Sequence, residues 1–340
     1  MSDMRAALLE LLNPWNVRDV TEPRRLGGGS SQENWAFDAR VDMDAGPVWR
    51  PLLMRREPER GVVDTDRDVE FALLEALSAT DLPVARVYAS DDGSRLERRA
   101  MIVDRLPGRA HRGVLRDTDP LRLGETARLE LAKALPVLLA RVHRVDVASL
   151  GLTDILPDPS DNPARSELQR WAAELDAVEL GPQPALRATI SWLWHQLPEP
   201  PPRMCLVHGD FRPANVLIDN AEISALLDWE LAHLGDPHDD LGWYTCTLYR
   251  REHFLSGRWD SGDFLQWWSR ATGLEVDPQR LHFWQVMSTF RLAVIALTGI
   301  KAFCEGATDR PAAPAEHVIA AALRETGLLS DSIPTGGGGR

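Results

Sequence analysis

A chain of 340 residues, 44% of them hydrophobic, can bury one large core or two lobes, which excludes a peptide, a disordered tail or a disulfide-stapled miniprotein. A formal charge of -13 and a pI near 5.2 set no positive field against phosphodiester backbones or anionic lipid, so neither nucleic acid nor a membrane is expected as a main partner. Cys205, Cys246 and Cys304 are widely spaced and form no CxxC, which argues against a disulfide framework and a thiolate zinc site and fits a reducing cytoplasm.

In chain order, residues 1–13 carry leucines at helical spacing and are closed off by Pro14. The apolar run at 6–9 is too short for a signal sequence, and no later stretch approaches the ~20 apolar residues of a membrane span, so a soluble, cytoplasmic chain is expected. Leu26-Gly27-Gly28-Gly29-Ser30-Ser31 reads as a glycine turn. The alternation at 35–39, the break at 44–47 and the run at 52–55 then give strands of an antiparallel sheet. Val69, Leu73, Leu74 and Leu77 share one helical face, the acidic run at 64–70 reads as a solvated face, and two more strands are expected at 86–89 and 100–104. Residues 1–105 therefore form a small β-rich lobe with one helix.

Leu106-Pro107-Gly108 marks the boundary, after which helices dominate: 125–144 with a kink at Pro136, 166–175, 184–196, 262–272 and 278–304. Residues 157–163 read as a surface loop. Residues 106–334 form the second, larger lobe, and the glycine-rich end at 335–340 cannot pack and is expected to be disordered. Most tryptophans, Trp192, Trp194 and Trp284 among them, lie on helical stripes and read as core, whereas Trp267 and Trp268 cannot both face inward, so one is available to line a pocket.

One strand-rich island interrupts the helices. Val216-Leu217-Ile218-Asp219, a three-residue turn and 223–227 describe a β-hairpin that returns Asp228 to the neighbourhood of Asn215. An amide oxygen and a carboxylate meeting at one end suit Mg²⁺, which takes few protein ligands and completes its octahedron with waters and phosphates. Asp210 precedes them, placed to orient or deprotonate an attacking hydroxyl.

His208-Gly209-Asp210, Asn215 and Asp228-Trp229-Glu230 together resemble the catalytic loop and metal-binding aspartate of the aminoglycoside phosphotransferase family, a branch of the protein-kinase-like fold. The similarity continues through Leu234-Gly235-Asp236-Pro237 and 239–243, and Gly28-Gly29-Ser30-Ser31 resembles the family's phosphate-covering loop. The subfamily in view has its kinase-like domain fused ahead of acyl-CoA dehydrogenases in some proteins. The resemblance implies an α+β, bilobal fold with a small antiparallel sheet lobe and a larger helical lobe carrying a catalytic hairpin. It implies ATP and Mg²⁺ as cofactors, Asp210 as catalytic carboxylate, Asn215 and Asp228 as metal ligands, His208 as a brace and Arg212 against the γ-phosphate. All but two of the 38 basic residues are arginine, and no lysine precedes Lys133, so Arg55 stands where a kinase keeps its strand lysine, with Glu70 as partner.

Three functions follow from these residues. The leading one is a phosphotransferase acting on a small-molecule hydroxyl, either a hydroxylated metabolite or hydroxyacyl-CoA, or an aminoglycoside. The second is a nucleotide-binding pseudokinase scaffold. The third, a protein kinase, lacks an Ala-Pro-Glu after Asp228. Asp236 and Asp240 read as turn and cap residues, and His111, His143, His233, His238, His253 and His282 form no metal-ligand spacing.

Overall fold

The computed structural model describes residues 2–27, 33–43, 45–57, 67–159, 161–308 and 315–328, so the loop at 28–31 and the tail at 335–340 lie outside the described residues. The first part of the chain carries α1 (Ser2–Leu11), β1 (Val17–Val20), β2 (Arg24–Arg25), β3 (Glu33–Met43), β4 (Gly46–Arg56), α2 (Arg67–Leu77), β5 (Val87–Asp92) and β6 (Arg99–Asp104). The strands form one antiparallel sheet in the order β1-β3-β4-β6-β5, with β2 also paired to β3. The pleat sorts side chains to two faces. Leu52, Met54 and Ile102 pack with Phe37 against Leu8 and Leu12 beside α1, while Leu53, Met101 and Val103 face Leu73, Leu74 and Leu77 of α2. The sheet thus carries α1 as well as the expected α2, one on each face. Arg55, two residues after Leu53, falls on the α2 side.

The remainder is helical: α3 (Gly124–His143), α4 (Leu152–Ile155), α5 (Pro163–Val178), α6 (Pro184–His195), α7 (His238–Thr245), α8 (Arg250–His253), α9 (Ser261–Thr272), α10 (Pro278–Cys304) and α11 (Glu316–Glu325). Between α6 and α7 lie β7 (Cys205–Val207), β8 (Val216–Asp219), β9 (Glu222–Leu226) and β10 (His233–Gly235), paired β7 with β10 and β8 with β9. Pro136 sits inside α3 without ending it. The loop expected at 157–163 is shorter, because the Asn162 side chain accepts from the Arg165 N–H and Pro163 opens α5 with its ring buried.

Helix α10 is long and apolar enough to cross a membrane, contrary to the sequence expectation. Here it packs among the other helices, its Trp284, Met287, Phe290 and Val294 set against Leu168 and Leu175 of α5 and Leu186 and Leu193 of α6. A Cβ at Gly242 would lie 2.5 Å from the Trp284 carbonyl carbon, so glycine there lets α7 meet α10. Trp284 is buried as expected, but Trp194 is 39% exposed, because it follows Leu193 by one residue and so falls about 100° away from the buried stripe. Trp268 is buried, and Trp267 packs at the core edge with its ring 5.9 Å from that of Trp259.

At the centre of α10, Arg291 is fully buried, bonded to Asp239 and 3.8 Å from Glu167. The ligand-type atoms of Glu167, His233 and Asp239 lie within 4.8 Å of one another, and the cation that bridges the two carboxylates is this guanidinium. Burial alone would raise the Glu167 carboxyl, but the charges of His233, Arg170 and Arg291 hold it down at about 2. A carboxylate depressed in the fold contributes stability that is complete above its ordinary 4.5 and is lost as pH falls toward about 2. Glu167→Gln should therefore remove on the order of 3 kcal/mol at neutral pH and flatten the acid side of the stability profile, read by denaturant titrations between about pH 7 and pH 2. An unchanged acid limb would contradict this.

Candidate active site

The chain leaves β7 into His208-Gly209-Asp210, and Gly209 takes φ +82, a left-handed conformation open mainly to glycine. A Cβ there would stand 2.4 Å from the Leu231 carbonyl oxygen, so the tight approach of this loop to the turn leading into β10 also requires glycine. The resulting corner is pinned from α7. Asp240, with no exposed surface, accepts the His208 N–H at 2.8 Å and the Gly209 N–H at 2.9 Å. Its Oδ2 also meets His143 Nε2 of α3 at 3.0 Å, and His143 Nδ1 receives the indole N–H of Trp268 at 3.0 Å, which leaves the ring proton on Nε2 facing Asp240. Although burial alone would raise it, these donors hold the Asp240 carboxyl below its usual value. Asp240 is thus structural, as its sequence suggested, but it clamps a distant loop rather than capping its own helix.

His208 braces the corner from within. Its Nδ1 accepts the Asp210 N–H at 3.2 Å and its Nε2 meets the Leu227 carbonyl at 2.9 Å, tying the loop to the end of β9. Asp210 Oδ2 accepts from Asn215 Nδ2 at 2.7 Å and from Arg212 Nε at 3.1 Å. Oδ1 lies 3.0 Å from the same Arg212 nitrogen, yet the single Nε–H is directed to Oδ2, so Oδ1 is buried without a hydrogen bond among the described residues. Burial raises the Asp210 carboxyl above its ordinary range, Asp228 adds to this, and Arg212, His208 and the Asn215 amide oppose it.

The hairpin brings the other oxygens alongside. Asn220 and Ala221 both have positive φ, 49 and 68, so β8 and β9 are joined by a two-residue turn that matches strand twist, one residue shorter than the sequence reading. The Leu227 N–H binds the Asn215 carbonyl at 2.8 Å, which sets Asp228 beside Asn215, and Asp228 itself takes φ +68, a strained conformation for a side-chain-bearing residue. The connection from the sheet crosses this hairpin: Arg109 and Ile218 exchange backbone hydrogen bonds at 3.0 and 3.1 Å, and Ser224 Oγ binds the Pro107 carbonyl at 2.6 Å.

Across the cleft, Arg55 Nη1 binds Glu70 Oε1 at 2.7 Å and its Nη2 lies 4.0 Å from Asp228 Oδ1. Glu70 is buried, which corrects the expectation of a solvated acidic face at that end of the run. The structure therefore joins Arg55 to Glu70 and brings Arg55 to Asp228, which stands beside Asn215. Gly28, Gly29, Ser30 and Ser31 lie outside the described residues.

Two groups were missed as parts of the site. The clamp Asp240–His143 spans 97 residues, so no local pattern could reveal it. Glu230 was visible in the motif without an assigned role; burial, followed by the charges of Asp228 and Glu70, pushes it up to about 7. Asp210, Asp228 and Glu230 thus crowd one corner with negative charge, and one buried oxygen of Asp210 has no hydrogen bond among the described residues. Such a donor set fits a hard divalent cation.

Asp240→Asn would set an amide donor against a backbone donor. We expect a loss of about 2–3 kcal/mol of stability and faster hydrogen–deuterium exchange at the His208 and Gly209 amides. Wild-type protection of those amides in the variant would show that the carboxylate does not hold the corner.

A model of the phosphotransferase enzyme family matches residues 22–284. Mouse acyl-CoA dehydrogenase family member 10 is 31% identical over 205 residues, 59% of this chain and 18% of the relative, so the chain spans about a fifth of that protein's length. Among solved structures, a Ralstonia eutropha JMP134 protein assigned to the aminoglycoside phosphotransferases superposes with a TM-score of 0.72 at 21% identity, covering 97% of this chain and 98% of the other. A thermostable mutant of aminoglycoside phosphotransferase APH(4)-Ia, in a ternary complex with AMP-PNP and hygromycin B, gives a TM-score of 0.62 at 19% identity and covers 96% and 99%. At these identities the structural likeness shows the fold, a bilobal protein-kinase-like one. With the family match covering most of the sequence, the chain belongs to the phosphotransferase enzyme family.

Proposed function

We propose that the chain transfers the γ-phosphoryl group of ATP to a hydroxyl of a small molecule, with residues 1–105 holding the nucleotide and 106–334 the catalytic groups and the acceptor. The observation that carries this reading is the convergence of Asp210, Arg212, Asn215 and Asp228 at one corner, with Arg55 and Glu70 reaching it from the opposite lobe. Asp210 Oδ1, the oxygen without a hydrogen bond, receives the acceptor hydroxyl. As the acceptor oxygen bonds to the γ-phosphorus, the bond from that phosphorus to the β,γ-bridging oxygen breaks, the hydroxyl proton passes to Asp210 and ADP leaves. The raised Asp210 carboxyl makes it a better proton acceptor than an exposed aspartate, and Asn215 fixes its orientation.

Arg212, held against Asp210, presents positive charge where the transferring phosphoryl passes. Arg55 takes the α- and β-phosphates in place of a lysine, and its tie to Glu70 keeps the guanidinium aimed into the cleft. Gly28, Gly29, Ser30 and Ser31 cover the phosphates in the same reading. Mg²⁺, when bound, would be held by Asn215 and Asp228 and would neutralise charge on the transferring phosphates. The likeness to acyl-CoA dehydrogenase family member 10 supports a hydroxylated metabolite or hydroxyacyl-CoA as acceptor, and the three free cysteines support a cytoplasmic setting.

Asp210→Ala should lower turnover by about a hundred- to ten-thousand-fold while AMP-PNP binding and the unfolding transition stay near wild type. Turnover close to wild type would remove the catalytic assignment, whereas retained nucleotide binding with no turnover in the parent chain would favour the scaffold reading. Arg55→Ala should raise the KM for ATP more than it lowers kcat, and Arg55→Lys should restore part of the loss. An ATP requirement unaffected by either substitution would take Arg55 out of the nucleotide site.

A further inference from the structure

A cavity of about 1100 Å³ opens in the helical lobe, bounded by Leu115 and Arg116 on one side, the stretch around α8 on another and Gln285 of α10. Its walls are rich in donors that lack acceptors. Arg250 and Arg251 line it, are exposed, and have no ion-pair partner among the described residues. Arg116 also lines it and shares the Glu252 carboxylate with Arg112, both at 2.5 Å. Trp259 contributes to the lining although only 4% exposed, and its indole N–H is buried with no acceptor among the described residues. The lining acids are already engaged: Asp260 caps α9 in a reciprocal pair with Asp263, and Asp117 lies 3.8 Å from Arg128.

This wall adjoins the transfer corner. Phe254, which lines the cavity, meets the Tyr244 ring at 5.7 Å, and Tyr244 meets Phe211, the residue after Asp210, at 5.9 Å. In a chain of net charge -13, three guanidinium groups, Arg116, Arg250 and Arg251, outnumber the two lining carboxylates at this cavity. Such a wall repels an amine-rich acceptor and attracts phosphate or carboxylate oxygens, which arginine and the indole N–H can both bond. A volume of about 1100 Å³ leaves room for a large acceptor beyond the group that reacts.

We infer that this cavity is the acceptor's anion subsite, in which Arg250, Arg251 and Trp259 hold a phosphate or carboxylate group remote from the hydroxyl presented to Asp210. This rests on the reading of Asp210 as the transfer site. The test is calorimetric titration of the chain with pyrophosphate and with coenzyme A, carried out with saturating AMP-PNP and Mg²⁺ so that the nucleotide site is filled. Pantetheine, which lacks the phosphates, is the neutral control.

At least one anionic probe should bind where pantetheine does not, and the R250Q/R251Q double variant should weaken it tenfold or more with AMP-PNP affinity unchanged. Trp259→Phe, which removes the indole N–H together with the five-membered ring, should weaken it several-fold. Absence of binding by either anion, or equal binding by parent and double variant, would overturn the subsite. Because no turnover is read, that failure leaves the transfer reading standing, and an inactive parent chain that still binds the anion would fail the transfer reading alone.

Discussion

Everything in the cleft depends on one buried carboxylate. Asp240 is a charge removed from water, which is tolerable only when its oxygens are fully bonded, and here they take two backbone N–H groups and the ring proton of His143. Those two N–H groups belong to His208 and Gly209, so the bonds that stabilise the charge also fix the corner from which Asp210 projects. His143 is fixed in turn by Trp268, and the chain of contacts therefore runs from α9 through α3 and α7 to the His208-Gly209-Asp210 loop. Asp210 owes its position to this network and its unbonded oxygen to the choice of Oδ2 by both Arg212 and Asn215.

The two lobes meet the same corner by separate routes. The pleat of β4 turns Arg55 toward α2, where Glu70 holds one of its nitrogens while another approaches Asp228. The connection at Pro107 and Arg109 binds the hairpin, and the Leu226 N–H binds the Pro83 carbonyl at 2.7 Å. The hairpin is thereby a shared wall: Asn215 precedes β8 and Asp228 follows β9 at its open end, and the segments at Pro83 and at 107–109 lie against it. A planar guanidinium suits this bridging position better than an ammonium, since its separate nitrogens can face two carboxylates at once.

Much of this was legible from residue order. Two short apolar runs on either side of a polar turn marked the hairpin, and Val216, Ile218, Ala225 and Leu226 are buried in it while Asn215 and Asp228 sit at its open end. Five helices of the larger lobe, α3, α5, α6, α9 and α10, were legible from their apolar spacing, and the ends that moved did so for local chemical reasons, such as the Asn162 cap ahead of Pro163, whereas α4, α7, α8 and α11 were not read. The turn was misjudged because Ala221 carries none of the glycine signal that usually accompanies φ +68. The pairing of β7 with β10 and the clamp by Asp240 were hidden for a different reason. Both join segments far apart in sequence, through strands of three residues or a single side chain, and neither leaves a periodic trace. Arg291, in the middle of an apolar helix, is intelligible only once Asp239 and Glu167 are seen beside it.

In the function proposed here, Asn215 and Asp228 hold a divalent cation against the end of a triphosphate while Asp210 faces the transferring group. Crystals grown with AMP-PNP and Mn²⁺ test it directly, since manganese is located by its anomalous scattering. A peak is expected at about 2.1 Å from an oxygen of Asn215 and of Asp228, with the γ-phosphate on the side of Asp210 Oδ1. Manganese bound elsewhere, or nucleotide seated with its phosphates away from that corner, would contradict it.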